Sequence, residues 1–168
     1  LGRLFYDNIP PKISGLYPPS NTFTNIAEVS YSSNESLSNG VFLWIPKDGS
    51  TPLEIALIGR ELNQGTYGIG TLTDQTDLKD GLAYDLQIKA QDQALNETVA
   101  TVATNVRFDI TKPTFSEVFP VASSRINTQT LRWTVDEKLK SGKYTWIHMG
   151  GDPDPNAPHE LSLPEDLL

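Results

Sequence analysis

Residues 34–45 read NESLSNGVFLWI, and residues 136–147 read DEKLKSGKYTWI. Glu35, Leu37, Gly40, Trp44 and Ile45 stand opposite the identical Glu137, Leu139, Gly142, Trp146 and Ile147. The offset is 102 residues (109 − 7 = 102 for Asp7 and Asp109), and it holds from Leu4 to Ile45. Pro11 falls on Pro113, Ser14 on Ser116, Pro18 on Pro120 and Asn25 on Asn127. Where residues differ they keep their character, as Tyr31 with Trp133 and Phe42 with Tyr144 do. After the tryptophans a four-residue insertion aligns LEIALIGREL at 53–62 with HELSLPEDLL at 159–168. A unit of about a hundred residues is far longer than a solenoid repeat, so each copy is expected to be a domain with its own core. The chain reads as a stretch of a longer polypeptide: the last strand of one copy at 1–8, a complete copy at 9–110, and the first half of another at 111–168.

Within the complete copy, AYDLQIKA at 83–90 sets Tyr84, Leu86, Ile88 and Ala90 on one face and Asp85, Gln87 and Lys89 on the other. AEVSYS at 27–32 and LRWTV at 131–135 alternate in the same way, the pattern of half-buried antiparallel strands. No window keeps a helical period beyond a turn or two; IALIGREL comes nearest, and Gly59 weakens it. Turn residues at strand-length intervals predict strands over 12–17, 26–32, 41–46, 53–58, 66–72, 83–91 and 101–109, with Asn39-Gly40 read as a turn. Seven short strands in such a length predict an all-β fold, an immunoglobulin-like β-sandwich in tandem copies. LKDGLAY places Tyr84 just after an Asp-Gly turn, where a tyrosine corner bonds its hydroxyl to the upstream backbone. Trp44, Trp133 and Trp146 fall on the inward phase of their strands, which predicts core packing rather than a sugar-stacking platform. Burial of each is worth about 2–3 kcal/mol.

These pieces together resemble the tandem bacterial Ig-like repeats of large surface proteins and adhesins. The resemblance rests on SYSSNESLSNGVFLW, GRELNQGTY, LKDGLAYDLQIKAQDQALN and VRFDITKP, and it spans the complete copy and the partial one. It implies an extracellular stalk or adhesion module on a bacterial surface, whose partners are neighbouring repeats and a cell-surface glycan or protein. Repeats of this kind commonly carry Asp-x-x-Gly-Asn before the last strand, whereas here Leu95 stands at the glycine.

Composition narrows the chemistry. The net charge of −8 argues against nucleic acid, which wants clustered Lys and Arg. No apolar run approaches a membrane span, so no insertion is expected within these residues. With no cysteine there is no disulfide framework, thiolate metal site or Cys nucleophile. His148 and His159 both lie in 111–168, which leaves no Ser-His-Asp arrangement in the complete copy. A non-catalytic role is expected. DPDPNAPHE at 152–160 has oxygen side chains at alternate positions, but Ala157 and Leu163 stand where a calcium loop needs Gly and Glu.

Strand alternation brings the start of the first strand and the two loops at 33–40 and 92–96 to one pole. Asp7, Glu35, Asp92 and Asn96 converge there, while Asp80, Asp109 and Glu137 are expected at the next junction. Two readings follow. Either the oxygens hold calcium at the domain junctions, or the acids serve local structure, Glu35 and Glu137 capping a turn and Asp7 and Asp109 opening the linker turn before proline. Beyond a structural spacer, two further roles fit: ligand binding through the loops, and accessory repeats of a larger extracellular enzyme.

Overall fold

The computed structural model describes residues 6–127 and 130–165, and the chain forms two units, 1–111 and 112–168. The first contains β1 (Ile13–Tyr17), β2 (Phe23–Thr24), β3 (Ser30–Ser33), β4 (Leu37–Pro46), β5 (Leu53–Ala56), β6 (Gly65–Tyr67), β7 (Ala83–Asp92) and β8 (Glu97–Phe108). The second contains β9 (Phe115–Phe119), β10 (Arg132–Val135), β11 (Lys143–Trp146) and β12 (His159–Ser162). A 3-10 turn at Gly59–Leu62 lies between β5 and β6. The strand expected over 1–8 falls mostly outside them, and residues 6–8 are not extended into a ladder.

In the first unit one sheet has the order β1-β3-β6 and the other β2-β8-β7-β4-β5, antiparallel except for the β2–β8 pair. Tyr84, Leu86, Ile88 and Ala90 all turn inward, as their period of two demands. They meet Val29, just before β3, Tyr31 from the smaller sheet, and Phe42, Trp44 and Ile55 from the larger in one core. The layering is compatible with a β-sandwich. Tyr31 packs edge-on to Phe42 and stacks on Tyr67 at 5.0 Å, and Trp44 meets Tyr84 edge-on at 5.9 Å. The Tyr84 hydroxyl accepts the Lys79 backbone N–H at 2.8 Å, the upstream bond expected of a tyrosine corner. Trp44 Nε1 is buried without a hydrogen-bond partner among the described residues, at a cost of about 1–3 kcal/mol.

Several elements differ from expectation. Leu37–Gly40 is not a loop but the start of β4, with a register shift between Leu37 and Asn39. Gly40 is no turn residue either: a Cβ there would sit 2.5 Å from Leu57 Cδ1, so glycine is required by a crossing side chain. The strand expected over 66–72 stops at Tyr67, where Gly68–Thr71 folds into a turn closed by Thr71 N–H to Gly68 O, with Gly70 at φ +75°. The strand expected over 26–32 begins only at Ser30, since Thr24 Oγ1 bonds both the N–H and the carbonyl of Ile26. Beyond Ala56, the Glu61 carboxylate accepts the Ile58 N–H and draws the chain into the 3-10 turn.

Two strand pairs of the first unit recur in the second. The β1–β3 pairs Ile13↔Ser33, Ser14↔Ser32 and Tyr17↔Ser30 recur 102 residues later as Phe115↔Val135, Ser116↔Thr134 and Phe119↔Arg132. The β4–β5 pairs from Val41↔Ala56 to Trp44↔Leu53 recur as Lys143↔Ser162 to Trp146↔His159, with the four-residue insertion carried between the strands. A Cβ on Gly142 would likewise lie 2.5 Å from Leu163 Cδ1. Burial does not repeat. Trp133 and Trp146 are only half-buried, against the expectation for them, because β9–β10 and β11–β12 are separate two-stranded sheets without counterparts of β7 and β8 among the described residues.

Candidate functional site

Asp92 ends β7 with its side chain turned into the hairpin that leads to β8. Its Oδ1 accepts the Ala94 and Asn96 backbone N–H groups at 2.8 and 2.9 Å, and its Oδ2 accepts Asn96 Nδ2 at 2.8 Å. Burial opposes charge on this carboxyl, but the hydrogen bonds from Asn96, Ala94 and Leu95 outweigh it and hold the pKa below the ordinary carboxylate value. The loop demands a left-handed residue at 95, and Leu95 takes φ +69° with its side chain exposed. That is the position where the Asp-x-x-Gly-Asn pattern has glycine, which adopts this conformation without a Cβ penalty.

Two further carboxylates approach Asp92. Asp7 Oδ1 accepts the Ile9 N–H at 3.0 Å, and the Asp7 carbonyl accepts Asn96 Nδ2 at 3.3 Å. Glu35 is half-buried beside Ser33, whose hydroxyl donates to the Glu35 carbonyl. Ligand oxygens of Asp7, Glu35 and Asp92 all lie within 4.8 Å of one another, the one such group among the described residues. Glu35 registers the crowding: burial, then the charges of Asp7 and Asp92, raise its pKa above the ordinary 4.5, against a lowering contribution from Asn34. The oxygens are hard and anionic, the type calcium takes. Asn96 Nδ2 bridges Asp7 O and Asp92 Oδ2, so a cation would require this amide to present Oδ1 instead.

The remaining predicted ligands do local work. Asp80 accepts the Ile110 N–H at 2.9 Å and the Thr111 hydroxyl at 2.7 Å, and these bonds lower its pKa. Asp109 Oδ1 accepts the Thr111 N–H at 3.0 Å, the same turn that Asp7 makes with Ile9. Asp80 and Asp109 thus tie the segment leaving β8 back onto its own unit, while Glu137 belongs to the second unit and is half-buried.

Two groups of structural acceptors escaped the sequence reading. Glu61 is fully buried, accepting Ile58 N–H through Oε2 and both the N–H and hydroxyl of Thr73 through Oε1. Burial raises its pKa, yet the bonds from Ile58 and Thr73 prevail and the net shift is downward. The Tyr31 and Tyr67 hydroxyls donate to the carbonyls of Glu61 and Arg60 within the GRELNQGTY stretch. Asn34 Oδ1 accepts the Lys12 N–H at 2.6 Å, and Asp136 Oδ1 accepts the Thr114 N–H at 2.8 Å. The signal for that pair was present, since Asn and Asp interchange at one aligned position and share only an Oδ1 acceptor. No family model, curated protein or solved structure matches this chain.

Proposed function

We propose that this chain is a non-catalytic structural module: tandem Ig-like domains of an extended bacterial surface or secreted repeat protein, in the manner of an adhesin stalk. The observation that carries the reading is the recurrence of both strand registers and of the Asp7/Asp109 and Asn34/Asp136 clamps at one offset. Duplicating a ladder along with the clamps at its ends builds length rather than a new binding surface. The bonds from Asp80 to Ile110 and Thr111 limit the slack after β8, and Pro10, Pro11 and Pro113 restrict the flanking backbone. No helix among the described residues is long and apolar enough to cross a membrane.

In this reading calcium stiffens the point where the chain enters the first unit, held by Asp7, Glu35 and Asp92 with Asn96 and the Asp7 carbonyl beside them. Relief of the repulsion between the three carboxylates is what favours the ion. Small-angle scattering on the 168-residue chain tests the spacer role: an elongated two-unit particle supports it, and a single compact particle overturns it. Calorimetry with calcium tests the ion separately. Saturable heat, and a melting temperature raised over that in chelator, are expected for the native chain and lost in Glu35→Gln. No heat and no thermal shift in the native chain would end the calcium part and leave the spacer role standing.

A further inference from the structure

A cavity of about 490 Å³ opens in the first unit near the Phe108 end of β8, at the opposite end of that strand from the Asp92 hairpin. Its floor is apolar and deep: Val29, Ile55, Leu78 and Phe108 are each buried. Its other walls carry Glu28, Asp74 and Asp77, and no Lys, Arg or His among the described residues lines it. Asp74 is already committed to the Ala56 and Gln75 N–H groups. Glu28 and Asp77 make no hydrogen bond or ion pair with the described residues; Glu28 is half-buried with its carboxylate beside Gly70, and Asp77 is exposed where it lines the cavity. Gly70, at φ +75°, lies against the Glu28 carboxylate, where a Cβ would be in ordinary contact at 3.6 Å from both of its oxygens.

From this geometry we infer that the cavity binds an organic cation, an ammonium or guanidinium carried on an apolar stem. The volume is that of a small-molecule site. The apolar floor takes a stem that water solvates poorly, and the uncommitted carboxylates answer the charged head. A bare metal ion fits less well, since these carboxylates do not converge as Asp7, Glu35 and Asp92 do. The site lies apart from the proposed calcium group and does not depend on it.

Amide NMR titration of the full chain with hexylammonium tests the inference, with hexanol and hexanoate as probes of equal length. Expected are saturating shifts around Val29, Ile55 and Leu72–Leu78, with hexylammonium bound about tenfold or more tighter than hexanol, as one satisfied charge contact implies. Salt should weaken it. The Glu28→Gln/Asp77→Asn variant removes no hydrogen bond of the fold and should bind hexylammonium about fivefold or more weakly. Nα-acetyl-lysine methylamide shifting the same amides at comparable concentration assigns the cation to a protein side chain; a response to hexylammonium alone assigns it to a free amine. The inference is overturned if no shifts saturate there, if hexanol binds as well as hexylammonium, or if the double variant keeps its affinity.

Discussion

The two units share their strand registers and differ in what those strands bury. Tyr31 and Trp44 are wholly enclosed, whereas Trp133 and Trp146 at the equivalent positions stay half-exposed. Ile55 is 2% exposed and its counterpart Leu161 is 50% exposed. Pairing is local chemistry, set by alternation and by the clamps at strand ends. Burial is supplied by β7 and β8, which carry Tyr84, Leu86, Ile88, Ala103 and Val106 into the first core. The same ladders are therefore enclosed to different extents among the described residues.

The largest effect should come from truncating the equivalent indoles. Trp44→Ala is expected to cost about 4 kcal/mol in denaturant unfolding, with Trp146→Ala near 1 kcal/mol because little enclosed volume is vacated. Equal losses would break the comparison. Next is the glycine that a leucine crosses in both units. Gly40→Ala should cost about 2 kcal/mol, as the new Cβ must displace Leu57 within a filled core. Gly142→Ala should cost less, because Leu163 has room to turn aside.

The Asn34 and Asp136 clamps sharpen the comparison through pH. Hydrogen bonding from Thr114 outweighs burial and holds the Asp136 pKa below its ordinary 3.8. A depressed carboxyl stabilises the fold above the ordinary value and loses that contribution as pH falls through its native value. Asn34 does not titrate. Amide-exchange protection of Thr114 should therefore fall at low pH relative to that of Lys12, and parallel behaviour would contradict the clamp assignment. Asn34→Ala itself should cost about 1 kcal/mol at neutral pH. The smallest expected effect is a gain: Leu95→Gly relieves a left-handed leucine and should stabilise the first unit by up to about 1 kcal/mol, offset in part by glycine's unfolded-state entropy.

Much of this was legible before any coordinates. The offset of 102 predicted which strands correspond, and AYDLQIKA predicted its own inward face. Following strand direction was enough to gather Asp7, Glu35, Asp92 and Asn96. What escaped has a common physical cause. Gly40 looked like a turn because Asn-Gly usually is one, and only the Leu57 side chain arriving from another strand explains it. Glu61 carried no mark of burial in the sequence, because Thr73, twelve residues on, becomes its partner only through the fold. Asp80 and Asp109, read as candidate ligands, accept the N–H groups and hydroxyl of residues 110–111, partners that the residue pattern did not mark.

By itself the sequence determined the all-β character, the repeat and the pairing of strands, since alternation and local hydrogen-bond acceptors act over a few residues and survive duplication. Tertiary structure alone decided which carboxylates crowd and which are absorbed by backbone donors, and where an apolar space stays open beside uncommitted acids. Those outcomes depend on groups brought together from distant parts of the chain, whose burial and charge have no value until the layers meet.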